Sequence, residues 1–183
     1  MAKAPKVRLL RLCDNCFEEN SVLFEAQGDG GFQSKGADDD MLPGGDQQTI
    51  SKDDPKILSD FERLCLLHLR QIREALGVGD IHVEAYGWSF GGNDTYPDGV
   101  QIDLVLDRAD NVINVCELKY SRNAFAIDKK YETSLGLKLA TFAGVNHLKK
   151  AVHLTMVVAG GLVRNVHAGV AHSVVTLDDL FRE

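Results

Sequence analysis

The chain has 183 residues, 44% hydrophobic and 26% charged, with a formal net charge of −7. That is the make-up of a single globular domain, and its acidity argues against a protein that gathers nucleic acid by bulk charge. No apolar run approaches the roughly 20 residues that cross a bilayer. The opening MAKAPKVRLLRLCDN lacks the apolar centre of a secretory signal, and four cysteines are too few for a disulfide framework, so a cytoplasmic protein with no membrane partner is expected.

Residues 1–53 read as an irregular N-terminal arm or linker, and residues 54–183 as the folded domain. Within the arm, VRLLRLCDNCFEENSVLFEA is apolar enough to pack, either as an edge strand with a hairpin or as the remnant of an upstream domain. GDGGFQSKGADDDMLPGGDQQ, residues 28–48, is rich in Gly and Asp and reads as a mobile linker or long loop. Cys13 and Cys16 have the spacing of half a zinc site, but no second CxxC or HxxxH follows to complete four ligands.

Order begins at Asp54 and Pro55, an acceptor followed by a first-turn proline. Ile57, Phe61, Leu64, Cys65, Leu69, Ile72 and Leu76 then recur at helical steps until Gly77, which predicts one helix of about six turns. IHVEAYGWSF (81–90) predicts a strand and GGNDTYPDG (91–99) a turn region. VQIDLVLD (100–107) alternates, with Val100, Ile102, Leu104 and Leu106 on one face and Gln101, Asp103, Val105 and Asp107 on the other. After RADN comes the strand VINVCELKYS (112–121). A second helix runs from Asp128 through Tyr131, Leu135, Leu139 and Phe142 to Gly144, and is followed by the strand AVHLTMVVAG (151–160), a short strand near SVVTL and a turn at DDLF.

Glu117 and Lys119 stand two positions apart on an apolar strand, so both charges leave one face. The tight RADN link argues for an antiparallel hairpin. If Ala109, Asp110 and Asn111 form the loop, with Asn111 left-handed, Asp103 lies opposite Glu117 and Gln101 opposite Lys119. Opposed side chains have Cβ atoms roughly 4.5 to 5.5 Å apart, where two carboxylates repel unless a cation sits between them. A hard divalent cation such as Mg²⁺ takes oxygen ligands and keeps positions free for water and phosphate. The backbone carbonyl of Leu118 is a third candidate ligand, and Lys119 is placed to stabilise negative charge or orient a water. The arrangement suits metal-assisted hydrolysis of a phosphodiester.

Asp103, then Glu117-Leu118-Lys119, set between two helices and followed by a strand, resembles the PD-(D/E)XK nuclease superfamily. FERLCLLHLRQIREALG, GVQIDLVLDRADNVINVCELKYS and VTLDDLF, spanning about Phe61 to Phe181, look like the C-terminal segment of a group of prokaryotic AAA-type ATPases. The resemblance implies an α/β, restriction-endonuclease-like core of helix, three antiparallel strands, helix and strand, with a mixed sheet. It implies Mg²⁺ or Mn²⁺ held by Asp103 and Glu117, Lys119 as the catalytic lysine, Glu62 as the acidic residue of the first helix completing the metal shell, and DNA as substrate. The residue before Asp103 is Ile102 rather than proline. A literal Pro-Asp pair occurs at Pro97-Asp98, but in a turn beyond the hairpin pairing, so Asp103 is preferred. No GxxxxGK[ST] phosphate loop is present, so an ATPase would be a partner of this chain.

Blander roles compete for each residue. Asp103, Glu117 and Lys119 could form a partly exposed ion-pair cluster, or a family site without activity. Glu62 could be a solvent-facing residue bordering its helix stripe. Lys129, Lys130, Lys149 and Lys150 could touch substrate phosphates, yet fit solvated faces better. His68 and His153 sit within regular elements as structural histidines, His147, His167 and His172 have no carboxylate partner by spacing, no GxSxG supports a triad, and Trp88 fits core or loop packing. Two non-enzymatic readings follow: an interaction module that engages an ATPase or DNA, and a homodimer or larger oligomer built by exchange of the N-terminal arm.

Overall fold

A computed structural model of the chain describes residues 7–12, 24–26 and 55–182, with side chains from Asp60 onward. Cys13, Cys16, the stretch 28–48 and Asp54 lie outside the described residues. The first helical span is two helices, α1 (Pro55–Leu67) and α2 (Leu69–Ala75), rather than one. They part at His68, whose backbone stands at φ −111° and ψ 30°. Its ring Nδ1 lies 2.9 Å from the Leu64 carbonyl oxygen, and its amide is shared between the Leu64 and Cys65 carbonyls. A side chain that competes for a helix carbonyl bends the ladder at that point. The predicted stop holds: Gly77 takes φ +69°, and the amides of Gly77 and Val78 donate to the carbonyls of Glu74 and Arg73, both at 2.9 Å.

The strands are β1 (Val7–Leu12), β2 (Phe24–Ala26), β3 (Val83–Phe90), β4 (Val100–Arg108), β5 (Val112–Lys119), β6 (Ala151–Val158) and β7 (Ser173–Thr176). They form one sheet in the order β2-β1-β3-β4-β5-β6-β7. Pairing is antiparallel from β2 through β5 and parallel from β5 to β7, so the chain is α/β with a mixed sheet. Parallel neighbours need a crossover, and helix α3 (Lys129–Val145) supplies it between β5 and β6. Its N-cap is Asp128, whose carboxylate accepts the Tyr131 amide at 2.7 Å. A one-turn helix, α4 (Leu177–Leu180), closes the described chain behind a Thr176–Asp179 capping box.

Apolar residues cover both faces of the sheet. On one, Phe61, Cys65, Leu69 and Ile72 of α1 and α2 pack with Leu180 onto Leu104, Leu106, Cys116, Leu118, Val157 and Val175. On the other, Phe142 of α3 packs with Trp88, Phe90, Ile102, Val105, Ile113 and Val115, while Leu135 joins Leu154, Met156 and Val158. Trp88, open between core and loop packing by sequence, is a core residue at 2% exposure.

The β4–β5 hairpin has the expected register. Leu104 pairs with Cys116 and Asp107 with Ile113, and Asn111 turns the corner at φ +65°. The clean alternation expected along β4 does not survive. Trp88 pairs with Ile102 and Tyr86 with Val105, so Gly87 on β3 opposes both Asp103 and Leu104. This bulge leaves Ile102 and Val105 on the α3 face and Leu104 and Leu106 on the α1 face. Its cause is non-local, because the extra residue is defined only against β3.

Candidate active site

The bulge places Asp103 where two strands separate. The β4–β5 ladder ends at Leu104 and Cys116, one pair short of Asp103 and Glu117. β5 meanwhile stays paired with β6 through Lys119 and Val158. Glu117 meets α3 on the far side of the sheet from α1, and Asp103 is coupled electrostatically both to Glu117 and to Glu62 of α1.

Glu117 is 7% exposed, and both its carboxylate oxygens are engaged. Tyr131 donates its hydroxyl to Oε1 at 2.6 Å, and Lys138 donates Nζ to Oε2 at 2.6 Å. Both donors lie on α3, seven positions or about two turns apart, with buried Leu135 between them. Lys119 leaves β5 on the same side, its Nζ 5.4 Å from the centre of the Tyr131 ring, a cation–π contact. Tyr131 therefore joins the two motif residues, hydroxyl to Glu117 and ring face to Lys119. Burial and the adjacent Glu117 charge push the Tyr131 phenol upward, so it stays a donor.

Asp103 is partly buried, and its carboxyl is raised above the ordinary range by desolvation first and by Glu117 second. Lys138, Lys119 and a hydrogen bond with the Leu118 backbone act against that rise. Glu62, on α1, is raised by burial, then by Asp103 and Glu117, and lowered by Lys119. The fold thus places Glu62, Asp103, Glu117 and Lys119 within one another's electrostatic reach from three separate elements. Among the described residues, no three His, Cys, Asp or Glu side chains converge closely enough to hold a metal ion by themselves.

The Leu118 carbonyl completes the picture. Lys119 O accepts the Ala159 amide beyond β6, and carbonyls alternate in direction along a strand, so the Leu118 carbonyl points toward β4. Asp103, Glu117 and this carbonyl are an oxygen-only donor set, which fits a hard divalent cation such as Mg²⁺ or Mn²⁺.

Other sequence candidates fall elsewhere. Asp98 is exposed in the turn before β4. Lys129 and Lys130 are exposed at the start of α3, and Lys149 is exposed before β6. Lys150 binds Asp107 at 2.5 Å and the Arg108 carbonyl at 2.9 Å, which ties β6 to the hairpin. His167, given no carboxylate by spacing, lies 2.7 Å from Glu132 through Nδ1, and the rings of His153 and His172 stack at 4.5 Å. Tyr131 and Lys138 are functional candidates that sequence reasoning missed. Lys138 did carry a signal: it interrupts an otherwise apolar stripe at 131, 135, 138 and 142, where a lysine needs a buried partner. No family model, curated protein or solved structure matches the chain.

Proposed function

We propose that the chain is a Mg²⁺- or Mn²⁺-dependent phosphodiesterase of the PD-(D/E)XK type, acting on DNA through a restriction-endonuclease-like core. The observation that supports the reading is the electrostatic coupling of Asp103 to Glu117 just beyond the last β4–β5 pair, Leu104 with Cys116. Two carboxylates coupled at the end of a low-dielectric sheet repel each other, and such an arrangement is kept where a cation or a substrate offsets it. Asp103, Glu117 and the Leu118 carbonyl would hold the metal, which when bound supplies Lewis-acid polarisation of a phosphate oxygen and a more acidic water.

The chain's own residues do the rest. Lys119, partly exposed and leaning on Tyr131, places an ammonium at the rim, where a phosphate oxygen or attacking water would lie. Glu62, with its carboxyl raised, approaches from α1 and can accept a proton or bond to a metal-shell water. Tyr131 fixes the Glu117 carboxylate. The test is cleavage of supercoiled plasmid with Mn²⁺, comparing the native chain with Asp103→Asn and Lys119→Ala. Loss of nicking in both variants and in EDTA is expected, and cleavage that survives both substitutions or persists in EDTA would remove the mechanism.

One observation favours a second reading, a nuclease-fold interaction module that engages DNA or an ATPase of the AAA type. Glu117 already has a cation in Lys138, so the site is neutralised in part without metal. Calorimetric titration separates the two, since a pure scaffold shows no Mn²⁺ heat that depends on Asp103.

A further inference from the structure

Glu117 is a designated ligand whose oxygens are both occupied by α3. Lys138 is its charge partner, at 2.6 Å, with 21% of the lysine side chain and 9% of the glutamate side chain exposed. An ammonium and a divalent cation on one carboxylate oxygen repel strongly, and the confined site gives little water to screen them. The lysine is the movable party. Its four-carbon stem can swing toward solvent from the middle of α3, whereas Glu117 is fixed by its strand and by Tyr131. Among the described residues no ion pair is made to Asp103 itself, so the direct lysine contact falls on the Glu117 carboxylate alone.

We infer that Lys138 is a built-in counter-cation that holds the Glu117 side of the site until a divalent metal displaces it. The metal-free chain keeps its carboxylates apart from adventitious cations, and metal binding releases the α3 lysine toward the open rim, where the substrate's phosphates would lie. The apparent metal affinity is then the intrinsic affinity reduced by the fraction of chains whose Lys138 has swung away. If about one chain in ten is open, removing the lysine tightens binding about tenfold.

The inference rests on the metal-site reading above, and the experiment tells their failures apart. Mn²⁺ is titrated calorimetrically into the full chain, into Lys138→Met and Lys138→Arg, and into Lys138→Met carrying Asp103→Asn. Lys138→Met is expected to bind Mn²⁺ about tenfold more tightly than the native chain, or to bind where the native chain shows no heat. Lys138→Arg should not tighten binding, and Asp103→Asn should abolish it. Asp103-dependent binding that is equal or weaker in Lys138→Met overturns the counter-cation role and leaves the metal site standing. No Asp103-dependent binding in any form removes the site, and the inference with it. Should Lys138→Met fail to fold, the native chain labelled with ¹⁵N-lysine answers instead. The Lys138 ammonium signal, protected by its ion pair and assigned with Lys138→Arg, is expected to vanish as Mg²⁺ is added, and its persistence at saturating Mg²⁺ overturns the proposal.

Discussion

The Glu117–Lys138 pair sets the energetic character of the site, and a double-mutant cycle measures it. An exposed ion pair contributes about 0.2–1 kcal/mol. Removing one partner of a buried pair costs about 3–5 kcal/mol, because the other charge is left uncompensated. This pair lies near the buried limit, with Glu117 at 9% and Lys138 at 21% side-chain exposure and a 2.6 Å contact. Tyr131 continues to solvate Glu117 when Lys138 is lost, and the lysine's residual exposure admits some water. Lys138→Met is therefore expected to cost about 2–4 kcal/mol. Glu117→Gln keeps the shape and the Tyr131 bond, and frees Lys138 to turn to solvent, so it costs about 1–2 kcal/mol. The double variant leaves no buried charge, and a coupling energy of about 1.5–3 kcal/mol is expected. Urea unfolding followed by far-UV circular dichroism gives the four free energies, with a common slope as the check on two-state behaviour. A coupling below about 0.5 kcal/mol would mean that the pair is solvated like any surface pair, and the counter-cation argument would lose its basis.

Asp103→Asn should stabilise the chain at neutral pH. The folded Asp103 carboxyl is raised by burial and by Glu117, so the folded state binds this proton more tightly than the unfolded state does. The resulting stability is complete below the unfolded carboxylate range and is lost as pH rises through the folded value. Asparagine escapes that loss: a gain of about 0.5–2 kcal/mol, or about 2–4 °C in Tm per kcal/mol, is expected at about pH 7 and should shrink toward about pH 4. A gap that stays equal at both pH values would contradict the assignment. Tyr131→Phe removes a donor to a buried carboxylate and should cost about 1.5–3 kcal/mol by the same urea assay, with the larger loss in the Lys138→Met background. A methyl group at Gly160 would sit 2.5 Å from the Asn123 carbonyl oxygen and 2.8 Å from that of Ser121, both backbone atoms of the segment that follows the motif strand. Gly160→Ala should therefore destabilise by about 1–3 kcal/mol, and unchanged thermal unfolding would show that this segment yields.

Local chemistry alone determined much of this protein. Gly77 ends α2 because a left-handed cap is easy for glycine, Asn111 sets the hairpin corner, and that corner carries the register that pairs Asp107 with Ile113 through Leu104 with Cys116. Those features depend on residues a few positions apart, so periodicity and turn preference expose them. The two features that shape the site are non-local. The bulge at Asp103 exists only in register with β3, whose Gly87 meets two residues of β4, and no window of β4 by itself reports the mismatch. The partners of Glu117 come from α3, fourteen and twenty-one positions away, and they meet it because the β5–α3–β6 crossover lays that helix over the end of the strand. Tertiary packing decided which cation sits beside the buried glutamate, since an unpaired charge in that low-dielectric setting is costly and the nearest ammonium the fold supplies is Lys138.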